Sequence, residues 1–310
     1  MKEELSSTHF RILPYIHRTP VLTSQILNAL TGADLYFKCE NFQRMGAFKM
    51  RGALNAIMQL RPDQKQKGVV THSSGNFAQA LALAARSLEV PAFIVMPENA
   101  PQVKKEAVNA YGGIIVECAP TLQAREETAA RIAADTGATF VHPSDDLSVI
   151  LGQGTAAKEL LELHPNLEYI VTPVGGGGLV AGSILAAQHY GTTCKVVGGE
   201  PETMDDAYRS VKSGQIESNL SGDTIADGLK TQLGKINFPI IQAGIAEIVR
   251  VSDQEIIAAM RLIWERMKIV VEASSAVALA AVLKRKEIFA GKKTGIILSG
   301  GNVDLSKLPF

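Results

Sequence analysis

Cysteine is scarce in this chain. Among 310 residues there are three, Cys39, Cys118 and Cys194, far apart and in no Cys-x-x-Cys pair. A disulfide framework and a cysteine zinc site are thereby excluded, and a reducing compartment fits. Net charge is lacking too: 31 Lys plus Arg stand against 31 Asp plus Glu. A balanced chain carries no electrostatic footprint for nucleic acid or an anionic membrane. The basic clusters Lys104-Lys105, Lys284-Arg285-Lys286 and Lys292-Lys293 are short and read as solvated surface. The histidines are scattered, without metal spacing. No long hydrophobic run is present. The most apolar stretch, Ile269 to Leu283, is interrupted by Glu272 and is predicted to be a buried strand and helix rather than a membrane span. Met1-Lys2-Glu3-Glu4 lacks an apolar core, so no signal peptide is expected. These absences predict a soluble, cytoplasmic protein with a small-molecule partner.

What is present is an ordinary globular composition, 46% apolar and 20% charged, long enough for two lobes. Short apolar runs alternate with helical patterns. Strands are predicted at Gly68 to His72, Pro91 to Met96, Gly113 to Cys118 and Ala138 to His142, with helices at Asn76 to Leu88, Pro101 to Tyr111 and Thr121 to Thr136 between them. Such alternation implies parallel strands joined by helical crossovers. The rhythm resumes with a helix (Val149 to Leu163), a strand (Glu168 to Val174), a helix (Leu179 to Tyr190) and a strand (Lys195 to Gly199). A polar stretch from Ser213 to Asp223 breaks it. A strand (Glu247 to Val251), a helix capped by Ser252-Asp253, a helix around Ala276 to Lys286 and a strand (Thr294 to Leu298) follow. The expected fold is α/β, with two open parallel-sheet lobes and a cleft between them. Residues 65–145 form a small domain, and residues 1–64 with 146–310 form a large one. Ligands in open parallel sheets bind outside the carboxyl ends of strands, so residues just after strands carry the most information.

Gly175-Gly176-Gly177-Gly178 joins a strand to a helix. Glycines let the backbone approach a ligand and present its N–H groups, and a helix N-terminus favours an anion, so a phosphate is expected. The alternative is a tight turn with helix–sheet packing. It is disfavoured because four successive glycines cost backbone entropy without an evident packing return. Which phosphate stays open at this point. Gly176-x-Gly178-x-x-Ala181, with Glu200 ending the next strand, satisfies the loose dinucleotide fingerprint of a nicotinamide-dependent oxidoreductase. No Gly-Lys-Ser/Thr follows, which removes a nucleoside-triphosphatase loop, and the absence of Gly-x-Ser-x-Gly removes the hydrolase elbow. Lys49, in Gln43 to Ala53, sits in a loop feeding a helix between Phe48 and Met50. It is either a surface charge or an amine whose proton affinity an apolar cleft lowers, making it a nucleophile. Ser73-Ser74-Gly75-Asn76 follows a strand, and its side chains either cap the next helix or hold a carboxylate. Glu200, Asp205 and Asp206 suit Mg²⁺ or Ca²⁺, or begin a helix.

Taken together these segments match a family. Gly46-Ala47-Phe48-Lys49-Met50-Arg51-Gly52-Ala53, Ser73-Ser74-Gly75-Asn76, Gly152-Gln153-Gly154-Thr155, Gly175 to Gly178, Thr224-Ile225-Ala226-Asp227-Gly228 and Ser299-Gly300-Gly301-Asn302-Val303-Asp304 occur in order along the whole chain. The sequence resembles the serine racemases and serine/threonine dehydratases among fold-type II pyridoxal-phosphate enzymes. The resemblance implies that Lys49 holds pyridoxal 5′-phosphate covalently, Phe48 packs on its ring, and Gly175, Gly176, Gly177 and Gly178 cradle its phosphate. It implies that Asn76 bonds the ring's 3′ oxygen and Ser299 the pyridine nitrogen. A neutral serine partner moderates the electron sink. Ser73, Ser74 and Asn76 would hold the substrate carboxylate. Lys49 and Ser74 would be the catalytic acid/base groups, one on each face of the α-carbon. Racemisation follows from two such groups, and loss of a β-hydroxyl gives a keto acid and ammonia. Glu200, the carbonyl of Met204 and Asp206 match the family's divalent-cation site, for Mg²⁺, Ca²⁺ or Mn²⁺. Arg125 matches an arginine near the substrate pocket, though it also reads as a helix-surface charge. The chain departs from the pattern at Phe77, usually histidine, and at Glu272-Ala273-Ser274-Ser275, usually Glu-Pro-Ser/Thr. Serine, threonine and 3-hydroxyaspartate all remain as substrates. The chain stops at Phe310, so the regulatory domain of the biosynthetic threonine dehydratases is not expected, and family habit suggests a homodimer.

Overall fold

The computed structural model describes residues 1–220 and 222–310. The chain opens with α1 (Lys2–Ile12), β1 (Val21–Leu22), α2 (Gln25–Thr31) and β2 (Asp34–Cys39). Then come α3 (Lys49–Met58), α4 (Pro62–Lys67), β3 (Val69–His72), α5 (Asn76–Ser87), β4 (Ala92–Pro97), α6 (Gln102–Ala110), β5 (Ile114–Cys118), α7 (Leu122–Thr136) and β6 (Thr139–Phe140). The second half holds α8 (Leu147–Leu163), β7 (Tyr169–Pro173), α9 (Gly178–Tyr190), β8 (Lys195–Pro201), α10 (Asp206–Ser213) and α11 (Asn237–Gly244). It closes with β9 (Ile245–Val251), α12 (Asp253–Met267), α13 (Ala273–Lys284), α14 (Lys286–Phe289) and β10 (Lys293–Leu298).

The strands form two sheets. One has six strands in the order β1-β2-β10-β7-β8-β9; the other has four, β5-β4-β3-β6. All neighbours are parallel except β1 with β2, an antiparallel edge pair. Strands buried on both faces need apolar runs rather than alternation, and β10 and β7 supply them. The first and last strands of the chain thus share a sheet.

Glycines set the helix spacing on one face of the larger sheet. A Cβ on Gly152 would lie 2.5 Å from the Gly52 Cα, and one on Gly154 would lie 2.6 Å from the Gly182 carbonyl oxygen. Helix α8 therefore passes between α3 and α9 at backbone contact. Below α3 lies a buried ion network. Arg51 donates to both carboxylates of Glu40 and Glu159 (2.7 to 3.0 Å) and to Thr155 Oγ1 (3.1 Å). Lys38 Nζ donates to Glu159 at 2.6 Å. The pairs leave no net charge in the core, which is the condition for tolerating it there.

Three expectations are corrected. β6 is only Thr139–Phe140, because the next residues turn: His142 Nδ1 accepts the N–H groups of Ser144 (3.2 Å) and Asp145 (2.7 Å). No strand forms from Ile269; Lys268 at φ 59° ends α12, and the extended chain runs straight to α13. β8 continues to Pro201, so Glu200 lies inside the strand rather than beyond it.

Candidate active site

Lys49 is placed by two loops laid against each other. Met45 and Gly46 are both left-handed (φ 56° and 79°), which reverses the chain just before α3. The turn is held from the loop after β10. Phe48 N–H donates to the Ser299 carbonyl (3.0 Å), Gly301 N–H to Gly46 (2.9 Å), and Asn302 Nδ2 to the Met45 carbonyl (2.9 Å). Lys49 and Ser299 are thus fixed side by side. The Lys49 ammonium donates to the Pro143 carbonyl at 2.8 Å and lies 5.1 Å from the Phe48 ring centre and 5.6 Å from that of Phe77. Burial among these groups lowers its pKa to about 8, with Glu272 opposing the shift.

Pro143 continues into Ser144, which packs against the glycine loop, so Lys49 and that loop share one segment as a wall. The loop corrects an expectation. A Cβ on Gly175 would meet the Leu229 Cα at 2.8 Å, and one on Gly176 the Ser144 Oγ at 2.4 Å. On Gly177 (φ 84°) it would meet Asn237 Oδ1 and Leu233 Cδ2 at 2.7 Å, and on Gly178 the Ser144 carbonyl at 3.0 Å. The packing return is therefore large, and packing alone demands these glycines. The anion reading stands on a different observation. Among the described residues the N–H groups of Gly175, Gly176, Gly177 and Gly178 donate to no protein atom, at the mouth of a helix without a side-chain cap. Free N–H groups converging at a helix N-terminus fit a phosphate.

The Ser73–Asn76 loop follows β3 in the four-stranded sheet. The capping expectation fails here: Gly75 is the N-cap of α5 and no side chain bonds its first turn. Ser73 Oγ accepts only the Gly75 N–H at 3.4 Å. The first-turn N–H groups of α5 and the hydroxyls of Ser73 and Ser74 are left for a ligand. Asn76 is already engaged. Its Nδ2 donates to both oxygens of Glu272 (2.9 and 3.1 Å), and its Oδ1 accepts from Asn302 Nδ2 (2.9 Å). With Oδ1 so held, the amide is fixed with its N–H groups turned the other way. Burial pushes the Glu272 carboxyl up to about 7, although the Asn76 amide pulls it back.

Arg125 sits half-buried on α7, near enough to His72 for its charge to lower that imidazole further after burial has done so. His72 stacks on Phe140 (5.4 Å) and meets His142 edge-on (6.0 Å). Burial, then His72 and Lys49, hold His142 down at about 4; with two N–H groups on its Nδ1, the neutral ring carries its proton on Nε2. A row of cationic or neutralised bases therefore runs from Arg125 towards Lys49.

Glu200 lies in β8, and Met204 and Asp206 follow it up to the start of α10. Glu200 is fully buried and accepts from Ala207 and Tyr208 N–H, both at 2.9 Å, at the start of α10. Nothing there is open to a ribose, so the dinucleotide alternative loses its acidic partner. Asp206 is fully buried; Oδ2 accepts the Leu233 N–H (3.0 Å) and Oδ1 has no partner. Asp205 is no part of this pair, being bound by Arg209 (2.8 Å) and Arg250 (2.9 Å). Burial raises Glu200 well above the carboxylate range and Asp206 to about 6. No cluster of three His, Cys, Asp or Glu occurs among the described residues, so any cation here needs carbonyl or water ligands as well.

His142, Ser144 and Asn237 were missed in the sequence; Glu272 and Asn302 were quoted there, in the apolar stretch and in the last motif, but without a role.

The fold and this cleft define an α/β enzyme with a desolvated amine beside an anion cradle. Residues 12–300 match the family of pyridoxal-phosphate dependent enzymes, and the chain belongs to that family. It is 51% identical over 308 residues to the beta-hydroxyaspartate dehydratase of Paracoccus denitrificans (strain Pd 1222), across 99% of this chain and 98% of that protein. It is 49% identical over 313 residues to the serine racemase of Dictyostelium discoideum, across 99% and 96%. The crystal structure of that racemase superposes with a TM-score of 0.94 at 48% identity, covering 98% of this chain and 99% of that one. The fold is therefore that of the fold-type II enzymes, the cofactor is pyridoxal phosphate and the substrate is a small amino acid. No helix among the described residues is long and apolar enough to cross a membrane.

Proposed function

We propose that this chain racemises and β-eliminates small β-hydroxy amino acids, releasing a keto acid and ammonia. One observation carries the reading: the Lys49 amine, at a pKa of about 8, is bonded to the residue that precedes the wall of the glycine loop. Bound pyridoxal phosphate supplies an aldehyde for amines and an electron sink that acidifies the α-C–H bond. The chain's residues do the rest. Gly175 to Gly178 would offer N–H groups to the phosphate, Phe48 would pack on the ring, and Ser299 would bond its nitrogen. Asn76, its amide orientation held by Asn302, would bond the ring oxygen by exchanging one of the two bonds its Nδ2 now makes to Glu272. Ser73, Ser74 and the first turn of α5 take the substrate carboxylate. Lys49 Nζ, near neutral pH, both accepts and returns a proton. Ser74 Oγ, supplied from the other sheet, is the second proton carrier. Phe48 and Phe77 exclude water.

Glu200, the Met204 carbonyl and Asp206 are proposed to hold Mg²⁺, with Ca²⁺ or Mn²⁺ as substitutes. Two buried carboxylates, one of them with an orphaned oxygen, suit a hard cation. Residues 65–145 close over the substrate on the body formed by 1–64 and 146–310. The three free cysteines support a reducing, cytoplasmic setting, and exposed Phe10 and Leu13 on and after α1 supply apolar surface for a homodimer.

The test is a substrate panel in deuterated water, following keto acid and α-deuterium together. Lys49→Ala is expected to lose the visible cofactor band and all exchange. Ser74→Ala is expected to keep keto-acid release while losing interconversion of enantiomers. A colourless protein that takes up no cofactor would end this reading. The Arg125–His72 pair favours a second form of it, with 3-hydroxyaspartate as substrate and its distal carboxylate on Arg125. Arg125→Ala would then raise KM for hydroxyaspartate roughly 10- to 100-fold, the cost of one charged hydrogen bond, and leave serine nearly unchanged.

A further inference from the structure

The candidate cation site and the phosphate cradle are joined by one short segment, residues 229–237. Its cradle side touches three of the four loop glycines. Leu229 packs on Gly175, Thr231 Oγ1 would lie 3.1 Å from a Cβ on Gly176, and Leu233 packs on Gly177. Asn237 ends the segment, fully buried. Its Nδ2 donates to the Gly176 carbonyl (2.8 Å) and the Ser144 carbonyl (3.2 Å), and its Oδ1 accepts the Gly234 N–H (3.1 Å). Asp145 Oδ1 anchors the same end through Ile236 and Asn237 N–H (2.8 and 3.0 Å). On the cation side, Leu233 N–H donates to Asp206 Oδ2 (3.0 Å), and Gln232 Oε1 accepts the Asn219 N–H (3.2 Å). The carboxylate whose other oxygen is orphaned thus holds the middle of the segment.

We propose that residues 229–237 are a strap through which a divalent cation on Glu200 and Asp206 tightens the glycine loop around the cofactor phosphate, with Asn237 as the positioning residue. The inference rests on the cofactor and cation readings above. A cation that ligates Asp206 fixes the carboxylate to which Leu233 is bonded. Leu233 and Asn237 then hold Gly176 and Gly177 where their N–H groups converge. Without the cation, no shared ligand fixes Asp206 against Glu200, and the strap bonded to Asp206 through Leu233 moves with it. Linkage makes the effect reciprocal: whatever the cation adds to phosphate binding, the phosphate adds to cation binding.

The experiment follows loss of the visible cofactor band from diluted holoenzyme, in Mg²⁺ and after chelation. Chelation is expected to speed cofactor loss by about 5- to 150-fold. In Asn237→Ala, loss is expected to be fast in both conditions, with less than about a twofold cation effect, while calorimetry still detects Mg²⁺ binding. Asn237→Asp keeps the size but removes the Nδ2 donors, and it serves the same purpose if the alanine variant does not fold. Equal rates of cofactor loss in a wild-type protein that binds Mg²⁺ would overturn the strap and leave the proposed function intact. So would full cation dependence in Asn237→Asp. A coloured protein that binds no Mg²⁺ overturns the cation reading and the strap together.

Discussion

At position 49 the chemistry depends on how much of the amine is neutral. Burial lowers Lys49 to about 8, so half of the amine is neutral at that pH and the neutral fraction saturates only above it. Exchange of the α-proton should therefore climb from pH 6, pass its half-maximum near 8 and level off about a unit above, as deuterium uptake will report. Glu272 works in the opposite sense on stability. Its folded pKa of about 7 lies above the ordinary 4.5. Between those values the folded chain keeps a proton that the unfolded chain has lost, so stability falls as pH rises through the window. Below it both forms are protonated, and above it both are ionised. Comparing urea midpoints of the cofactor-free protein at pH 4.5 and 7, wild type should lose more stability, or gain less, than Glu272→Gln; the difference between the two proteins reports this group alone. The contrast also explains what the sequence made visible. Lys49 stands in a contiguous motif whose neighbours announce an apolar setting. Glu272 acquires its role from Asn76, 196 positions away, and no local pattern encodes that partnership.

The same limit appears among the secondary-structure elements. Most helices and strands were readable because periodicity is local, and the capping box of Ser252 with Glu255 marks the start of α12. The contacts made by the glycines were not readable. Gly175 to Gly178 suggested a ligand loop with no packing role, whereas each glycine is required by a neighbour tens of residues away in the chain. Gly152 and Gly154 were quoted only as a motif; they are where α8 touches α3 and α9. Gly154→Ala should therefore cost about 1–3 kcal/mol, as overpacking does, with a lower urea midpoint and an unchanged slope. The ion network under α3 makes a larger forecast. Glu159→Gln leaves Arg51 and Lys38 buried with one carboxylate between them, and a loss of about 3–5 kcal/mol is expected in the same measurement. A replacement of all the charged members by apolar side chains should cost less than that single change.

For the molecule as a whole, two α/β lobes and their cleft followed from alternation, but strand order did not. β10, the last strand, inserts between β2 and β7, and only long-range pairing decides this. That insertion brings the Ser299–Asn302 loop onto the turn before Lys49, so the N- and C-terminal parts of the chain build the proposed cofactor site jointly. The proposed cation site lies at the end of β8 in the same sheet and bears on the stability of the whole fold. Glu200 and Asp206 are buried like charges, each raised first by desolvation, and Glu200 is raised further by Asp206. A cation that binds only the folded chain relieves this cost, by about 2.7 kcal/mol when present at a hundredfold its Kd. For a chain of this length the unfolding temperature should then drop by about 4 °C on chelation. The double variant Glu200→Gln, Asp206→Asn should lose that sensitivity. In chelator it should be at least as stable as the wild type, because neutral amides are cheaper to bury than two carboxylates. Thermal unfolding of both proteins, with Mg²⁺ and with chelator, separates the cases. An identical wild-type midpoint in the two conditions, or a variant that keeps the shift, would leave these carboxylates without a cation to hold.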